Sequence, residues 1–295
     1  MKKAIQLCLM VYLCSAAFLS ASPFLSLKKA CEKGEMTSCY ELGEMFLTGN
    51  EVRYDYAEAI SYFEKACSNG YLKGCVELGD MYERELGVEK DMKKASAYYA
   101  KACNGGEGEG CMYLGKIEER KKHYRKAEAL YRKACHQKHA PGCYELAVIY
   151  DFGRFFKKNP VKALGYYQKA CEYHKTYCGE MGEIYEKGKF GIKPDARLAY
   201  DYYKTSCEGN NAQGCYKVGN DYYYGRNVKK SYKKAAHFYR KSCLVGGYGT
   251  AKGCNNLAVL YSKGQGVSKN MKKAKLYYKK ACELGYYDAC RQFKE

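Results

Sequence analysis

Apolar side chains recur along the chain in two alternating registers, each with the spacing of a helix face. In the first register an alanine stands eight residues before a cysteine (Ala59, Ala95, Ala127, Ala163, Ala199, Ala235, Ala274). An aromatic ring stands four before it (Phe63, Tyr99, Tyr131, Tyr167, Tyr203, Tyr239, Tyr278). Positions −8, −4 and −1, with the cysteine, make one stripe of an α-helix, here termed a B helix. Twelve before the cysteine stand Asp55, Asp91, His123, Asn159, Asp195, Ser231 and Asn270. All but His123 are strong N-caps, because a short side-chain oxygen accepts the free amides of the first turn. Pro160 suits the first helical position, and Gly70, Gly105, Gly209, Gly246 and Gly285 are expected to end the helices. The second register follows a second cysteine, which opens an A helix. Three residues on come Leu42, Leu78, Leu114, Leu146, Met181, Val218 and Leu257, then always Gly or Ala (Gly43, Gly79, Gly115, Ala147, Gly182, Gly219, Ala258). Seven on come Phe46, Tyr82, Glu118, Tyr150, Tyr185, Tyr222 and Tyr261. The small residue is expected to let the two helices of an antiparallel pair approach closely, against a propensity cost of up to about 1 kcal/mol for glycine.

The cysteines set the period. They pair in order as Cys31/Cys39, Cys67/Cys75, Cys103/Cys111, Cys135/Cys143, Cys171/Cys178, Cys207/Cys215, Cys243/Cys254 and Cys282/Cys290. First cysteines of successive pairs are 36, 36, 32, 36, 36, 36 and 39 residues apart. A fixed period in this range marks a solenoid, whose units bury their apolar faces only against neighbours. This removes the two-domain reading that 295 residues would suggest. The expected fold is all-α, a right-handed α/α superhelical solenoid of seven helix pairs, monomeric and without a sheet. A capping helix over 23–34 precedes repeats at 35–70, 71–106, 107–138, 139–174, 175–210, 211–246 and 247–285, and a capping half-helix fills 286–295. The third repeat is four residues short, so the helices around Arg120 to His123 should join almost without a loop. The seventh junction, Leu244 to Gly253, has three extra residues and four glycines.

Met1-Lys2-Lys3, the apolar run Ala4 to Leu19 and the small residues Ser20, Ala21 and Ser22 read as a secretory signal peptide over 1–22. Cleavage after Ala17 or Ala21 fits, and Leu13 before Cys14 and Leu7 before Cys8 disfavour lipidation. The mature chain keeps an even sixteen cysteines and no membrane span, and is expected to be secreted or periplasmic. There, paired cysteines become structural disulfides. Structural zinc sites use cysteines two to four residues apart, a spacing absent here. Sequence leaves connectivity open in general, but eight copies of one local spacing favour eight nearest-neighbour bridges. Each would tie the end of a B helix to the start of the next A helix.

A helix pair with leucine, glycine and tyrosine at these offsets resembles a tetratricopeptide unit. The 36-residue period and Gly264-Gln265-Gly266-Val267 resemble its Sel1-like branch. With a C-x7-C pair in most units, residues 24–295 resemble the secreted Helicobacter cysteine-rich proteins. That resemblance implies an exported α/α superhelix acting on host cells. It also implies a penicillin-binding protein or slow β-lactamase hydrolysing penicillin- and cephalosporin-type β-lactams.

The residues add little to the enzymatic implication. Ser231-Tyr-Lys-Lys234 and Ser26-Leu-Lys-Lys29 match Ser-x-x-Lys, but the companion Ser-Asp-Asn and Lys-Thr-Gly motifs are absent. Ser231 fills a cap slot, so no catalytic residue is assigned. His136 and His139 stand three apart, too few for a catalytic zinc. His123 is expected in the cap slot of the short repeat, and no metal or cofactor is expected. The formal charge of +19 is spread over every repeat, mostly on B helices, as at Lys93-Lys94, Lys233-Lys234, Lys272-Lys273 and Lys279-Lys280. That dispersal favours solubility and attraction to anionic partners over nucleic-acid binding. In the tetratricopeptide framework the groove is lined by A helices. Matching positions include Thr37, Tyr40 and Glu44; Val76 and Asp80; Met112 and Lys116; Tyr144 and Val148; Glu183; Tyr216, Asn220, Tyr223 and Tyr224; Asn255 and Val259. A mixed aromatic, amide and carboxylate surface suits an extended peptide, a protein or a cell-wall fragment, and the stretch from Cys143 to Asn256 is its most aromatic part.

Overall fold

A computed structural model describes residues 23–294, and the signal-peptide expectation for residues 1–22 lies outside them. The chain forms two compact units that divide between Leu130 and Tyr131. The first holds α1 (Pro23–Glu32), α2 (Met36–Thr48), α3 (Tyr56–Ser68), α4 (Leu72–Arg84), α5 (Met92–Gly105), α6 (Gly108–Arg120) and the start of α7 (Tyr124–His136). The second continues with α8 (Ala140–Phe152), α9 (Pro160–Tyr173), α10 (Cys178–Lys187), α11 (Ala196–Glu208) and α12 (Ala212–Tyr224). It ends with α13 (Tyr232–Val245), α14 (Thr250–Lys263), α15 (Met271–Glu283) and α16 (Tyr287–Lys294). Among the described residues there is no strand. Within each unit a helix packs chiefly on its neighbours in sequence, the solenoid mode of burial.

The caps read from the sequence are formed. Asp55, Asp91, Asn159, Asp195, Ser231 and Asn270 each accept first-turn amides through the side chain. The same residues donate their own N–H to the carbonyl of the A-helix aromatic, as from Asp91 to Tyr82 and from Asn270 to Tyr261. His123 differs. Ala127 N–H donates to its carbonyl as in the other repeats, but its ring lies 2.9 Å from Glu118 Oε2. Glu118 stands where other repeats carry an aromatic, so the short turn Lys121–His123 is closed by charge instead of by a ring.

All eight bridges join nearest neighbours. They are Cys31–Cys39, Cys67–Cys75, Cys103–Cys111, Cys135–Cys143, Cys171–Cys178, Cys207–Cys215, Cys243–Cys254 and Cys282–Cys290, with Cα atoms 4.4–4.8 Å apart. Most of their sulfurs lie in the core. In the structure Cys39, Cys75, Cys111, Cys143, Cys215 and Cys254 are wholly buried. They are core side chains out of reach of any ligand, because the start of each A helix is pressed onto the end of the preceding B helix. These bridges therefore act on stability, and of their cysteines only Cys171, Cys282 and Cys290 are half-buried.

Three expectations need correction. The second cysteine does not open its helix: α2, α4, α6, α8 and α12 begin three residues before it, and only α10 begins at Cys178, after a 3-10 turn over Lys175–Tyr177. The residue just before the second cysteine is Ser38 in α2 and a glycine in α4, α6, α8 and α12, where the two helices meet closely. A Cβ on Gly74, Gly110 or Gly214 would come within 2.8 Å of a carbonyl oxygen of the preceding B helix. Two glycines expected as terminators also do other work. Gly105 lies inside α5 and Gly106 takes the positive φ of 108°, while Gly209 keeps φ at −75° and Asn210 turns at 61°.

The last correction concerns the small residue of the A helix. It does not simply admit a neighbouring backbone; it seats the B-helix ring of its own pair. A Cβ at Gly43, Gly79, Gly182 or Gly219 would stand 2.5–2.7 Å from the ring of Phe63, Tyr99, Tyr203 or Tyr239. These rings are at most 2% exposed and form the centre of each pair.

Candidate functional site: the A-helix face

In the second unit α12 and α14 gather their expected groove residues around one hydroxyl. Tyr239 of α13 reaches over Gly219 and donates to Asn220 Oδ1 at 2.8 Å, and Asn256 Nδ2 donates to the same oxygen at 3.3 Å. Asn255 Nδ2 in turn donates to Asn256 Oδ1 at 3.3 Å. Tyr216 and Tyr223 pack on the Tyr239 ring at 6.3 and 6.5 Å, and Val259 joins the same cluster. Tyr224 is 57% exposed, with the Arg226 guanidinium 4.7 Å over its ring. The remaining positions lie apart from this network. Tyr144 of α8 packs on Tyr167 and Tyr177, and burial, with Glu180 and Glu145 nearby, pushes its hydroxyl up to about 12. Val148 is half-buried. Burial pushes Glu183 up, but hydrogen bonds from Lys187 and Lys189, each 2.8 Å, outweigh it and hold the carboxyl below its usual range.

Sequence reasoning missed the B-helix tyrosine as a polar element. Tyr99, Tyr167 and Tyr203 donate to Glu83, Asp151 and Glu186 of the paired A helix at 3.2, 3.2 and 2.7 Å. Each acid stands eight residues after its helix's second cysteine. The signal was present: where the B-helix ring is Phe63, the matching A-helix residue is Leu47. Each ring is thus buried while its hydroxyl joins the carboxylates of the A-helix face.

The first unit carries its own cluster of this kind. Tyr40 donates to Glu44 at 3.1 Å and to Glu77 at 3.4 Å. Burial, with Glu109, Asp80 and Glu44 around it, pushes Glu77 up to about 7. A carboxyl raised above its unfolded value binds the proton more tightly when folded. Its stabilising effect is complete below the unfolded value and is lost as pH rises through about 7. Glu77→Gln should therefore remove part of the fall in stability between pH 4.5 and 7.5, with thermal midpoints of the two proteins converging at the acid end. Equal pH dependence of the two proteins would show that Glu77 titrates normally.

Neither Ser-x-x-Lys serine is placed for nucleophilic chemistry. Ser231 Oγ accepts from Lys234 N–H at 3.3 Å as a cap, and Ser26 Oγ donates to the Pro23 carbonyl at 2.8 Å. Among the described residues no three His, Cys, Asp or Glu side chains converge to hold a metal ion, and no helix is long and apolar enough to cross a membrane.

Helix pairs stapled in sequence order, with a polar and aromatic face on one helix of each, define an α-solenoid repeat protein. The Sel1 repeat pattern matches residues 37–71, 72–107, 110–139, 140–172, 178–211, 212–246 and 251–286, and the chain belongs to that family. A protective antigen of uropathogenic Escherichia coli strains, displaying an SLR fold, is similar over 90% of this chain and 57% of its own, with 26% identity and a TM-score of 0.63. Cysteine rich protein B of Helicobacter pylori is 35% identical, with 45% of this chain and 93% of that one covered and a TM-score of 0.36. Cytochrome c oxidase assembly factor 7 of Xenopus tropicalis is 35% identical over 71 residues, 23% of this chain. The match spans only 31% of that relative's length. Sel1 repeats are interaction scaffolds, and eight disulfides fit an oxidising extracellular or periplasmic environment.

Proposed function

We propose that this chain is an exported scaffold whose A helices present a groove to a peptide or protein partner, of the host or of the cell envelope. The main contact surface is α8, α10, α12 and α14, from about Cys143 to Asn256. The observation that carries this reading is the amide network Tyr239–Asn220–Asn256–Asn255. Its members hold one another in place before a ligand arrives, which lowers the ordering cost of binding. A side-chain amide can both donate to and accept from an extended backbone, and Tyr216 and Tyr223 flank it as rigid aromatic anchors.

The test uses the oxidised chain and a partner captured from host or envelope extracts. Hydrogen-exchange protection should fall on α8, α10, α12 and α14. Asn220→Ala with Asn255→Ala should weaken binding by ten-fold or more while the melting temperature drops only a few degrees. Protection confined to residues before Cys135, or to the B-helix lysines, would overturn the assignment. The same preparation discriminates the enzymatic alternative. Cleavage of penicillin- and cephalosporin-type substrates should disappear on repurification from a β-lactamase-free host. Activity constant per milligram, and kept by Ser231→Ala, would instead support a hydrolase with an unconventional site.

A further inference from the structure

One A-helix position breaks the repeat rule. Six residues after the second cysteine stand Met45, Met81, Ile117, Ile149, Ile184 and Leu260, all buried in the cores of their pairs. In the sixth repeat the same position is Asp221, only 8% exposed. A carboxylate in place of a large apolar side chain weakens packing and costs desolvation, so it marks a site shaped for something other than stability. Beside it lies a cavity of ≈ 210 Å³, walled by α10, α11, α12 and the turn after α12. Tyr200, Tyr203, Asn220 and Glu186 line it together with Asp221.

We propose that this cavity receives a cationic side chain, an arginine or lysine of a bound peptide, with Asp221 as its counter-charge. Neither cation lining the cavity makes a direct side-chain bond to Asp221. Lys217 Nζ lies 2.8 and 2.7 Å from the two oxygens of Glu186, which also accepts from Tyr203 at 2.7 Å. The Arg226 guanidinium covers the Tyr224 ring and acts on Asp221 only through space. The Asp221 carboxylate accepts from Asn227 Nδ2 at 2.8 Å. Burial, helped by the Glu186 charge, pushes Asp221 up and outweighs the Asn227 bond and the through-space attraction of Arg226 and Lys217. A guanidinium or ammonium group entering the cavity would restore a partner to the charged form, through the strong charge-assisted bonds such pairs make. The ring of Tyr200 adds apolar and cation–π contact for its stem and head, while Lys217 Nζ already lies 5.4 Å from the centre of the Tyr203 ring. The volume lies below the roughly 300–1,000 Å³ of sites for whole small molecules, which limits the occupant to one side chain. A carboxylate ligand would face both Asp221 and Glu186.

Naming a peptide as the source of the cation rests on the groove reading, since Asn220 borders both; charge recognition by the cavity does not. The test therefore uses a probe too small to need the groove. Isotope-labelled, fully oxidised chain is titrated with N-acetyl-arginine N-methylamide, and with the norleucine and glutamate analogues, following the amide signals of Gly219 to Asn227. The arginine probe should saturate in the millimolar range, and the other two should bind at least ten-fold more weakly. Asp221→Leu, which restores the apolar residue of the other repeats, should abolish saturation with the fold kept. Asp221→Asn keeps the shape and should weaken binding at least ten-fold, which decides the matter even if the leucine variant misfolds. An arginine probe that does not bind, binds Asp221→Asn equally well, or binds no better than the glutamate or norleucine analogue overturns the pocket. A probe that binds while longer basic peptides leave the A helices unprotected would sink the groove reading alone.

Discussion

Reduction of the eight bridges should unfold the protein at 37 °C. Each bridge closes a loop of about nine residues, worth roughly 2.5 kcal/mol in the chain-entropy model. Even half of that for every bridge is comparable with the whole stability of a typical domain, about 5–15 kcal/mol. The repeat architecture sharpens the effect. A solenoid unit has only its neighbours for support, and the staples sit at the joint between one pair and the next. Far-UV circular dichroism melts of oxidised and of reduced, alkylated protein test this directly. Loss of most helical signal at 37 °C after reduction is the expected outcome, whereas an unchanged melting temperature would mean that packing alone holds the pairs. Removing one bridge, as in Cys103→Ala with Cys111→Ala, should cost about 2–5 kcal/mol.

The second large effect is at the ring that fills each helix pair. Tyr99 is fully buried against Gly79, so Tyr99→Ala should lose about 3–5 kcal/mol through transfer and cavity terms together. Tyr99→Phe keeps the ring and removes only the bond to Glu83, and should cost about 1.5–3 kcal/mol, as for a hydrogen bond to a charged group. The reciprocal change is more informative. Gly79→Ala gains up to about 1 kcal/mol of helix propensity, but its Cβ would lie 2.5 Å from Tyr99 Cε1. Overpacking of that kind costs about 1–3 kcal/mol, so the net change should be destabilising. Urea midpoints for the three variants give the order Tyr99→Ala worst, with the other two closer to the parent. A stabilised Gly79→Ala would show that the ring moves aside freely.

What could be read from the sequence was whatever one helix displays by itself. The stripe at −8, −4 and −1, the caps at Asp55, Asp91, Asn159, Asp195, Ser231 and Asn270, and the local cysteine spacing are each confined to a dozen residues. All of them correspond to elements of the structure. What stayed hidden depends on the register between two helices. The spacing of Cys75, Cys215 and Cys254 from their partners was plain, but not that helix-on-helix contact seals their sulfurs into the core. The glycines of the A helix were legible as small residues, but not as seats for Phe63 and Tyr99. The same holds for the hydroxyl bonds to Glu83, Asp151 and Glu186, which join residues 16 or 17 apart in sequence across a helix turn. Asp221 was overlooked because its position, six residues after the second cysteine, belongs neither to the stripe at +3, +4 and +7 nor to the groove positions. The amide network depended on Asn256, one residue outside the positions considered, and on Tyr239 from the opposite helix.

The bridges also bear on how the protein is made. Sixteen cysteines can pair in roughly two million ways, yet every native partner lies 7, 8 or 11 residues away. Closure of a short loop is entropically cheaper than closure of a long one. During synthesis the correct partner also appears before any cysteine of the next repeat. Oxidation can therefore follow the growing chain from its amino end, one staple at a time, with each closed loop withdrawing two thiols from later errors. A protein built this way is proofread by the order of its own sequence, and its reduced form should recover native pairing without a disulfide isomerase.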